Sequence, residues 1–284
     1  MLNIPRKASI VLLTLVSCLL VLITPVLAQR SIDLARERWL RVRDLSGEVY
    51  FFTEDTRQLA AAGDILAIAG DGVKTGSDSS CTLEFDINIG TIELRENTEL
   101  IIRSLDYASD DGRVTYLSVP YGNVILNLRK FTNPGSVLEI ETPSGVSGVR
   151  GTEFGMIVHP DSQSTSVATQ SGAVFAAAQG TEVDVPGGFQ TLIPLGEPPL
   201  EPIPIPDVPQ FDFRIEQQLR DYVRYTVLFG QIDPINQVYV EDELQEVTDA
   251  GTFQYESAAY LGASVQIKIV TPLGQTATYD IPLL

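Results

Sequence analysis

The stretch from Leu138 to Val158 reads LEIETPSGVSGVRGTEFGMIV and decides the fold of the chain. It opens as a strand, because apolar residues at 138 and 140 alternate with two glutamates. Thr142-Pro143 then ends the ladder, since proline lacks the N–H that a ladder requires. A second strand leaves through Phe154 to Val158. Between the strands, glycines permit positive φ or close backbone approach; they are Gly145, Gly148, Gly151 and Gly155.

Arg150 and Glu153 are the charged residues of this turn, three positions apart. A guanidinium and a carboxylate at this spacing can form an ion pair or bond to nearby backbone groups. Such chemistry serves either a structural turn or a ligand site. Because turn residues usually serve architecture, we favour the structural role.

Further strands surround this stretch at intervals of about 8–12 residues, the spacing of sandwiches, barrels and β-rolls. No long helical period interrupts them, so the sequence predicts an all-β fold. Turn residues separate the strands, among them Asp110-Asp111-Gly112, Tyr121-Gly122 and Asn133-Pro134-Gly135. The predicted strands are 81–87, 91–94, 100–104, 114–119, 123–128, 137–141, 154–158, 165–169 and 173–177.

The order T-P-x-G-V-x-G-V-R-G-T-E-F-G resembles the signature of FecR-domain proteins. Upstream, Gly63-Asp64 and the Asp71–Gly76 turn are similar to turn elements of that family. Downstream, Thr165–Thr169 with Gly172-Ala173-Val174 resembles its closing hairpin. The resemblance covers 39–195 and implies a β-helix-like or β-roll stack. Its signature residues, all expected to be structural, are Thr142, Pro143, Gly148, Val149, Arg150, Gly151, Thr152, Glu153, Phe154 and Gly155.

The resemblance also implies a function, since FecR is a membrane regulator with a cytoplasmic anti-sigma segment and a periplasmic sensing part. Only seven residues precede the first apolar run of this chain. We therefore expect no anti-sigma segment and no direct transcriptional signalling, although an envelope signalling component remains an alternative.

The segment 1–28 is predicted to be a signal peptide. Arg6 and Lys7 form a basic start, an apolar run follows, and cleavage is expected between Ala28 and Gln29. Lipidation at Cys18 and an uncleaved membrane anchor remain open, because the run approaches the ~20 apolar residues of a span. Export places the protein in the periplasm or outside the cell.

The character of the chain changes between Pro186 and Pro209, which holds eight of the 17 prolines. Residues 196–210 are predicted to be an extended proline-rich linker that separates two folded parts. Residues 211–284 then show five short strands and resemble a small bacterial immunoglobulin-like sandwich. Phe211 to Arg220 is expected to be a short amphipathic helix at its start.

The composition limits the classes of partner. With 19 Lys and Arg against 37 Asp and Glu, the formal net charge is −18. Such a surface repels phosphate backbones, so nucleic acid is not an expected partner. We expect an envelope protein or a polysaccharide, the latter suggested by aromatic residues that also suit core or cross-strand positions; they are Tyr50, Phe51, Phe52 and Tyr121.

Candidate catalytic groups are few. His159 is the single histidine, and we expect it in a turn. The chain has no G-x-S-x-G elbow for a Ser-His-Asp triad and too few His and Cys residues for a zinc site. Cys81 lies in an apolar run with Thr82-Leu83-Glu84-Phe85 and is expected to be a buried, unreactive thiol. We predict no enzyme and no cofactor. Two acidic clusters could contribute ligands to calcium, but neither has the full spacing of a calcium-binding loop. They are Asp106, Asp110 and Asp111, and Asp71, Ser77 and Asp78.

Overall fold

The computed structural model describes residues 38–86, 89–149, 151–258 and 264–283. Every regular element among them is a β-strand, which confirms the all-β prediction. The signal-peptide residues Ala28 and Gln29, the lipidation candidate Cys18 and the signature residue Arg150 lie outside the described residues. No helix in the described part of the chain is long and apolar enough to cross a membrane.

The first seventeen strands form two large sheets that face each other. They are β1 (Leu40–Ser46), β2 (Val49–Phe52), β3 (Arg57–Leu59), β4 (Ile65–Leu66), β5 (Gly72–Thr75), β6 (Ser80–Phe85), β7 (Gly90–Leu94), β8 (Glu99–Tyr107), β9 (Arg113–Leu128), β10 (Val137–Glu141), β11 (Val146–Val149), β12 (Glu153–Val158), β13 (Thr165–Ser171), β14 (Ala173–Ala178), β15 (Thr181–Pro186), β16 (Phe189–Ile193) and β17 (Ile203–Pro204).

Sheet A runs in the order β4-β1-β6-β7-β9-β12-β13-β16-β17. Sheet B runs β3-β2-β5-β8-β9-β10-β11-β14-β15. Pairing is antiparallel except between β9 and β10. From β10 onward, successive hairpins are added to sheet B and sheet A in turn, so the pair of sheets lengthens like a solenoid.

Strand β9 belongs to both sheets and corrects one sequence prediction. Its first half pairs with β8 and β10 of sheet B, and its second half pairs with β7 and β12 of sheet A. Tyr121-Gly122 is therefore not a turn between two strands, because one continuous strand bends there. Gly122 has φ of 107°, and an added Cβ would lie 2.4 Å from Cα of Thr98, so only glycine suits the bend.

The core between the two sheets follows the alternation of the strands. In β6 every second residue is buried, as expected for a strand with one covered face. Phe85 and Phe154 are the largest fully buried side chains. Because full burial of one large apolar side chain contributes about 1.5–3 kcal/mol, this continuous core accounts for most of the driving force of the stack.

The C-terminal strands form a second, smaller pair of sheets. They are β18 (Phe211–Arg220), β19 (Val223–Ile232), β20 (Gln237–Val240), β21 (Glu243–Gln245), β22 (Thr252–Ala258), β23 (Ser264–Val270) and β24 (Thr276–Pro282). Sheet C has the order β18-β19-β22, and sheet D has the order β21-β20-β23-β24. Leu228 and Phe253 of sheet C share one core with Val238 and Ile267 of sheet D.

The helix predicted for Phe211 to Arg220 is wrong, because this segment is strand β18. All ten of its residues pair with β19, from Phe211 opposite Ile232 to Arg220 opposite Val223. Apolar residues at 211, 215 and 219 suit both a helix face and one face of a strand. The additional aromatic residue at 213 fits only the two-residue period, and cross-strand pairing decides the outcome.

The proline-rich segment lies along sheet A instead of holding the two parts away from each other. Its few backbone N–H groups are used there, since Leu200 N donates to Leu192 O and Ile205 N donates to Gly188 O, both at 2.9 Å. At its far end, the Tyr279 hydroxyl donates to the carbonyl oxygen of Pro209 at 3.1 Å. The predicted boundaries of the linker stay a prediction, but the parts on its two sides are in contact.

The outer face of sheet A packs on the outer face of sheet D. Phe154 and Met156 point into the core between sheets A and B, so Ile157 points the other way, yet it is 0% exposed. Tyr239 likewise points away from the core of sheets C and D and is 4% exposed. The sheets are thus layered in the order B, A, D, C.

Specific contacts cross the boundary between sheets A and D. Gln190 Nε2 donates to Asp233 Oδ2 at 3.0 Å, and Lys268 Nζ lies 3.8 Å from a carboxylate oxygen of Glu96. A Cβ added to Gly155 would lie 1.8 Å from the carbonyl oxygen of Pro272, in the turn between β23 and β24. Gly155, the last glycine of the signature, therefore leaves the space that the turn between β23 and β24 occupies.

A buried ion pair fastens the start of the described chain. Arg38 is 4% exposed, and its Nε donates to Asp86 Oδ2 at 2.8 Å. The other guanidinium nitrogens donate to the carbonyl oxygens of Asp106 and Val114 and to the Thr115 hydroxyl. Because both charges are paired and hydrogen-bonded, the pair survives burial, whereas losing one partner leaves an uncompensated charge.

We expect Arg38→Met to lower the free energy of unfolding by about 3 kcal/mol, because Asp86 would remain buried without its main partner. Arg43→Met is the matched control, since its guanidinium pairs with Asp44 at the surface, where the side chain is 52% exposed, and such pairs contribute about 1 kcal/mol or less. Urea unfolding of both variants measures the difference. Equal losses of stability would contradict the assignment.

We expect Gly155→Val to separate the C-terminal sheets from sheet A. Valine favours strands, so β12 itself should tolerate it, but its Cβ cannot share space with Pro272. The variant should be cleaved faster within 194–210 by a protease and should have a larger radius of gyration in solution scattering.

The control for this experiment is Gly76→Ala, whose Cβ would approach no atom closer than 3.4 Å. Near-ultraviolet circular dichroism should show that both variants keep a packed core. A folded Gly155→Val protein with unchanged cleavage and radius would show that the turn does not depend on this glycine.

Candidate functional site

The signature carries the chain from sheet B to sheet A. Strands β10 and β11 form a hairpin in sheet B, with Leu138 opposite Val149. Strand β12 then lies in sheet A between β9 and β13. The residues around Gly151 thus form a crossing between two sheets. The sequence placed only turn residues between the strands at 137–141 and 154–158, whereas Val146–Val149 in that stretch is strand β11.

A chain of hydroxyl groups stabilises the turn at Thr142-Pro143. The Thr142 hydroxyl donates to the carbonyl oxygen of Gly145 at 3.0 Å. It also accepts a hydrogen bond from the Thr165 hydroxyl at 2.8 Å, and Thr165 accepts one from Ser144 at 2.6 Å. These hydroxyls are buried beneath an exposed Pro143. Because each of these hydroxyls has a hydrogen-bond partner, the cost of burying them is offset.

Two signature glycines allow close approach of neighbouring elements. A Cβ on Gly148 would lie 2.1 Å from the ring of Phe175, its cross-strand partner in β14. Gly151 has φ of 86°, and its Cβ would lie 2.2 Å from Cα of Lys130 and 2.3 Å from the carbonyl oxygen of Arg129. The crossing therefore rests directly on the connection between β9 and β10.

The remaining described signature residues also contact the backbone or the core. Val149 and Phe154 are buried, and the carbonyl oxygen of Thr152 accepts a hydrogen bond from Leu128 N at 3.0 Å. Glu153 is exposed at the start of β12. Its proposed pairing with Arg150 stays a prediction. Among the signature side chains, Glu153 is the charged group that the described structure presents to solvent.

His159 is buried next to the signature strand. It is 8% exposed, and its Nε2 lies 3.0 Å from the Ser166 hydroxyl. Burial lowers the pKa of His159 to about 4, so the imidazole is neutral at physiological pH. A carboxylate that could orient it as a catalytic base does not contact it within the described residues. Its backbone closes the Pro160–Ser164 turn through hydrogen bonds with Gln163 and Ser164.

The thiol of Cys81 is free and 1% exposed in the core between sheets A and B. Burial raises the pKa of the Cys81 thiol to about 12, so it is protonated and unreactive at neutral pH. This environment agrees with the expected role of a small apolar core residue.

The acidic clusters considered for calcium use their oxygens within turns. Asp71 Oδ2 accepts hydrogen bonds from the backbone of Ala67 and Ile68, each at 3.0 Å. Asp110 accepts from Gly112 and Gly135 at 3.1 Å. No group of three or more His, Cys, Asp or Glu side chains in the described ranges is arranged to hold a metal ion.

The structure also brings together residues that sequence analysis missed. One cavity is lined by Arg38, Arg113, Arg129 and Lys130 and lies at the connection between β9 and β10, beside the signature crossing. They come from three separate segments, so their sequence spacing gives no sign of the cluster. The one local signal is the adjacent Arg129-Lys130 pair in a strongly acidic chain.

Comparison with known families finds a match to the family described as FecR protein, over residues 71–175. The matched segment begins at the Asp71–Gly76 turn, includes the whole signature and ends in β14. The resemblance inferred from the signature is thus supported over this part of the chain, while Gly63-Asp64 lies outside it. A comparison with proteins of curated function found no match.

Among solved structures, the chain is similar to two crystal structures of a candidate anti-sigma factor from Parabacteroides distasonis ATCC 8503, determined at 2.50 and 1.65 Å resolution. Each alignment has a TM-score of 0.37 and 12% sequence identity and covers 46% of this chain. It spans 57% of the length of that protein. The family match is confined to residues 71–175.

Proposed function

We propose that this protein is an exported, non-catalytic component of the bacterial envelope that binds another envelope molecule through its β domains. The observation that carries the proposal is the FecR match over residues 71–175, which coincides with the centre of the two-sheet stack. The signature residues described there make packing and backbone contacts, so they build a binding scaffold and supply no catalytic constellation.

We further propose that the C-terminal part is an immunoglobulin-like module. Its first, second and fifth strands form sheet C, and its third, fourth, sixth and seventh form sheet D. This is the distribution of the A, B and E strands and of the C′, C, F and G strands in immunoglobulin-like sandwiches. Support comes from the strand order and the shared core alone.

Export rests on the predicted signal peptide of residues 1–28, and cleavage after Ala28 would place the mature chain in the periplasm or outside the cell. Absence of enzymatic activity rests on the buried His159, the protonated Cys81 thiol and the turn roles of the aspartates. No cofactor is proposed. An envelope protein or a polysaccharide remains the proposed partner.

The second candidate function is envelope signalling in the manner of FecR. The observation that favours it is Glu153, which presents an exposed charge near the end of the family signature. In that case the partner would be a membrane regulator.

The aromatic residues that suggested polysaccharide binding are engaged within the stack, since Tyr50 lies beneath the guanidinium of Arg57 and the Tyr121 hydroxyl donates to Glu99.

The test is photo-crosslinking in intact cells with a photoreactive residue at position 153. We expect one discrete protein adduct on a chain that begins at Gln29. The control has the same residue at Asp184, which is exposed on β15 at the edge of sheet B.

The identity of the adduct separates the candidates. An inner-membrane regulator would support signalling, another envelope protein would support the scaffold role, and a carbohydrate ladder would support a polysaccharide partner. Equal labelling from positions 153 and 184, or none from either, would contradict an interaction at the signature. A cytoplasmic, uncleaved chain would contradict export.

A further inference from the structure

A cavity of about 250 Å³ lies where the connection between β9 and β10 crosses from sheet A to sheet B. Four basic side chains line it, in a chain whose formal net charge is −18. They are Arg38, Arg113, Arg129 and Lys130. Such a cluster of cations is unexpected in a strongly acidic chain, so it requires a separate explanation.

The four cations differ in how many hydrogen-bond and ion-pair partners they already have. Arg38 is saturated by Asp86, two carbonyl oxygens and a hydroxyl. Arg113 lies 3.5 Å from the same carboxylate, and its buried Nε has no hydrogen-bond acceptor. Arg129 and Lys130 are exposed at the rim and have no ion-pair partner within the described residues. Asp86 thus serves two arginines, and positive charge is left over.

The lining of the cavity also includes apolar side chains, among them Phe85, Ile89 and Phe131. The volume corresponds to about eight waters at ~30 Å³ each, so it suits a small ligand with one anionic and one apolar part. Guanidinium groups bind carboxylates and phosphates, and lysine adds a point charge that suits phosphate. Three cations that are not saturated match a dianion better than a monoanion.

The signature crossing holds the rim of this cavity in place. Gly151 approaches the backbone of Arg129 and Lys130 too closely for any side chain to intervene. In addition, Leu128 N donates to the carbonyl oxygen of Thr152 at 3.0 Å, which fixes the end of β9 just before the two cations. Sites that bind small ligands depend on such rigid support.

We propose that this cavity binds a phosphate monoester, with the phosphate between Arg113, Arg129 and Lys130 and its organic part against the apolar side chains of the lining. The site does not depend on the proposed function, since it lies in a cavity and requires neither export nor a macromolecular partner. A phosphorylated sugar and a lipid headgroup would share this chemistry.

Titration calorimetry of the full chain with phenyl phosphate tests the proposal, because this probe has a dianionic group and a small ring. We expect saturable binding that weakens at least tenfold in the double variant Arg129→Gln/Lys130→Gln. The control Arg41→Gln/Arg103→Gln removes the same charge from side chains that are 44% and 52% exposed elsewhere on the stack, and we expect a change below twofold.

Three results would overturn the proposal. The first is no saturable binding of phenyl phosphate up to 10 mM, on the order of the weakest specific affinities. The second is binding of benzoate as tight as that of phenyl phosphate, which would make the site one for carboxylates. The third is equal weakening in both double variants, which would reduce the effect to net charge. Glucose 6-phosphate and vesicles that contain phosphatidic acid then separate the two natural sources.

Discussion

Two crossings of the chain between facing sheets press against each other, and the stack depends on this contact. The connection from β9 to β10 passes from sheet A to sheet B, and the signature returns the chain from B to A. At Gly151 the backbones are so close that an added Cβ would meet Cα of Lys130 at 2.2 Å. A side chain here would force the crossings apart and with them the sheets on either side. Glycine at position 151 is therefore a steric requirement of this crossing.

The same reasoning explains why sheet A is covered on both faces. A sheet with one buried face ordinarily alternates apolar and polar residues, yet β12 is buried from Phe154 to Val158 without a break. The outer face of this strand is covered by the C-terminal sheets, and Gly155 supplies the space in which the Pro272 turn rests. A continuous apolar strand within an otherwise alternating fold thus marks the place where a further layer packs.

Much of this architecture is readable from sequence, because strands and turns are local. The strand pattern and the signature predicted the all-β stack, and family comparison supports its central part. A local pattern could not predict the structure where two different local structures have the same pattern. Tyr121-Gly122 suits a turn or a bend equally, and the spacing of Phe211, Ile215 and Leu219 suits a helix or a strand. In both cases long-range pairing chose the outcome.

The buried ion pair and the basic cavity could not be found in this way, since their members are distant in sequence. Arg38 and Asp86 are 48 positions apart, and Arg38 and Thr115 are 77 apart. Before folding, Arg38 is only one of several arginines that follow the apolar segment. Sequence composition gives a total charge, whereas function depends on where the topology brings the charges together.

An acidic protein can still present a cationic site, because charges act over limited distances in salt. At physiological ionic strength the Debye length is about 8 Å, so most of the carboxylates on the two stacked sandwiches are screened from the cavity. Arg113, Arg129 and Lys130 lie around a cavity of only about 250 Å³ and act on a ligand at contact distance. The net charge then makes the approach of polyanions rare. The side chains of the cavity determine which small anion binds there. The predicted exclusion of nucleic acid and the proposed binding of a small phosphate are therefore compatible in one protein.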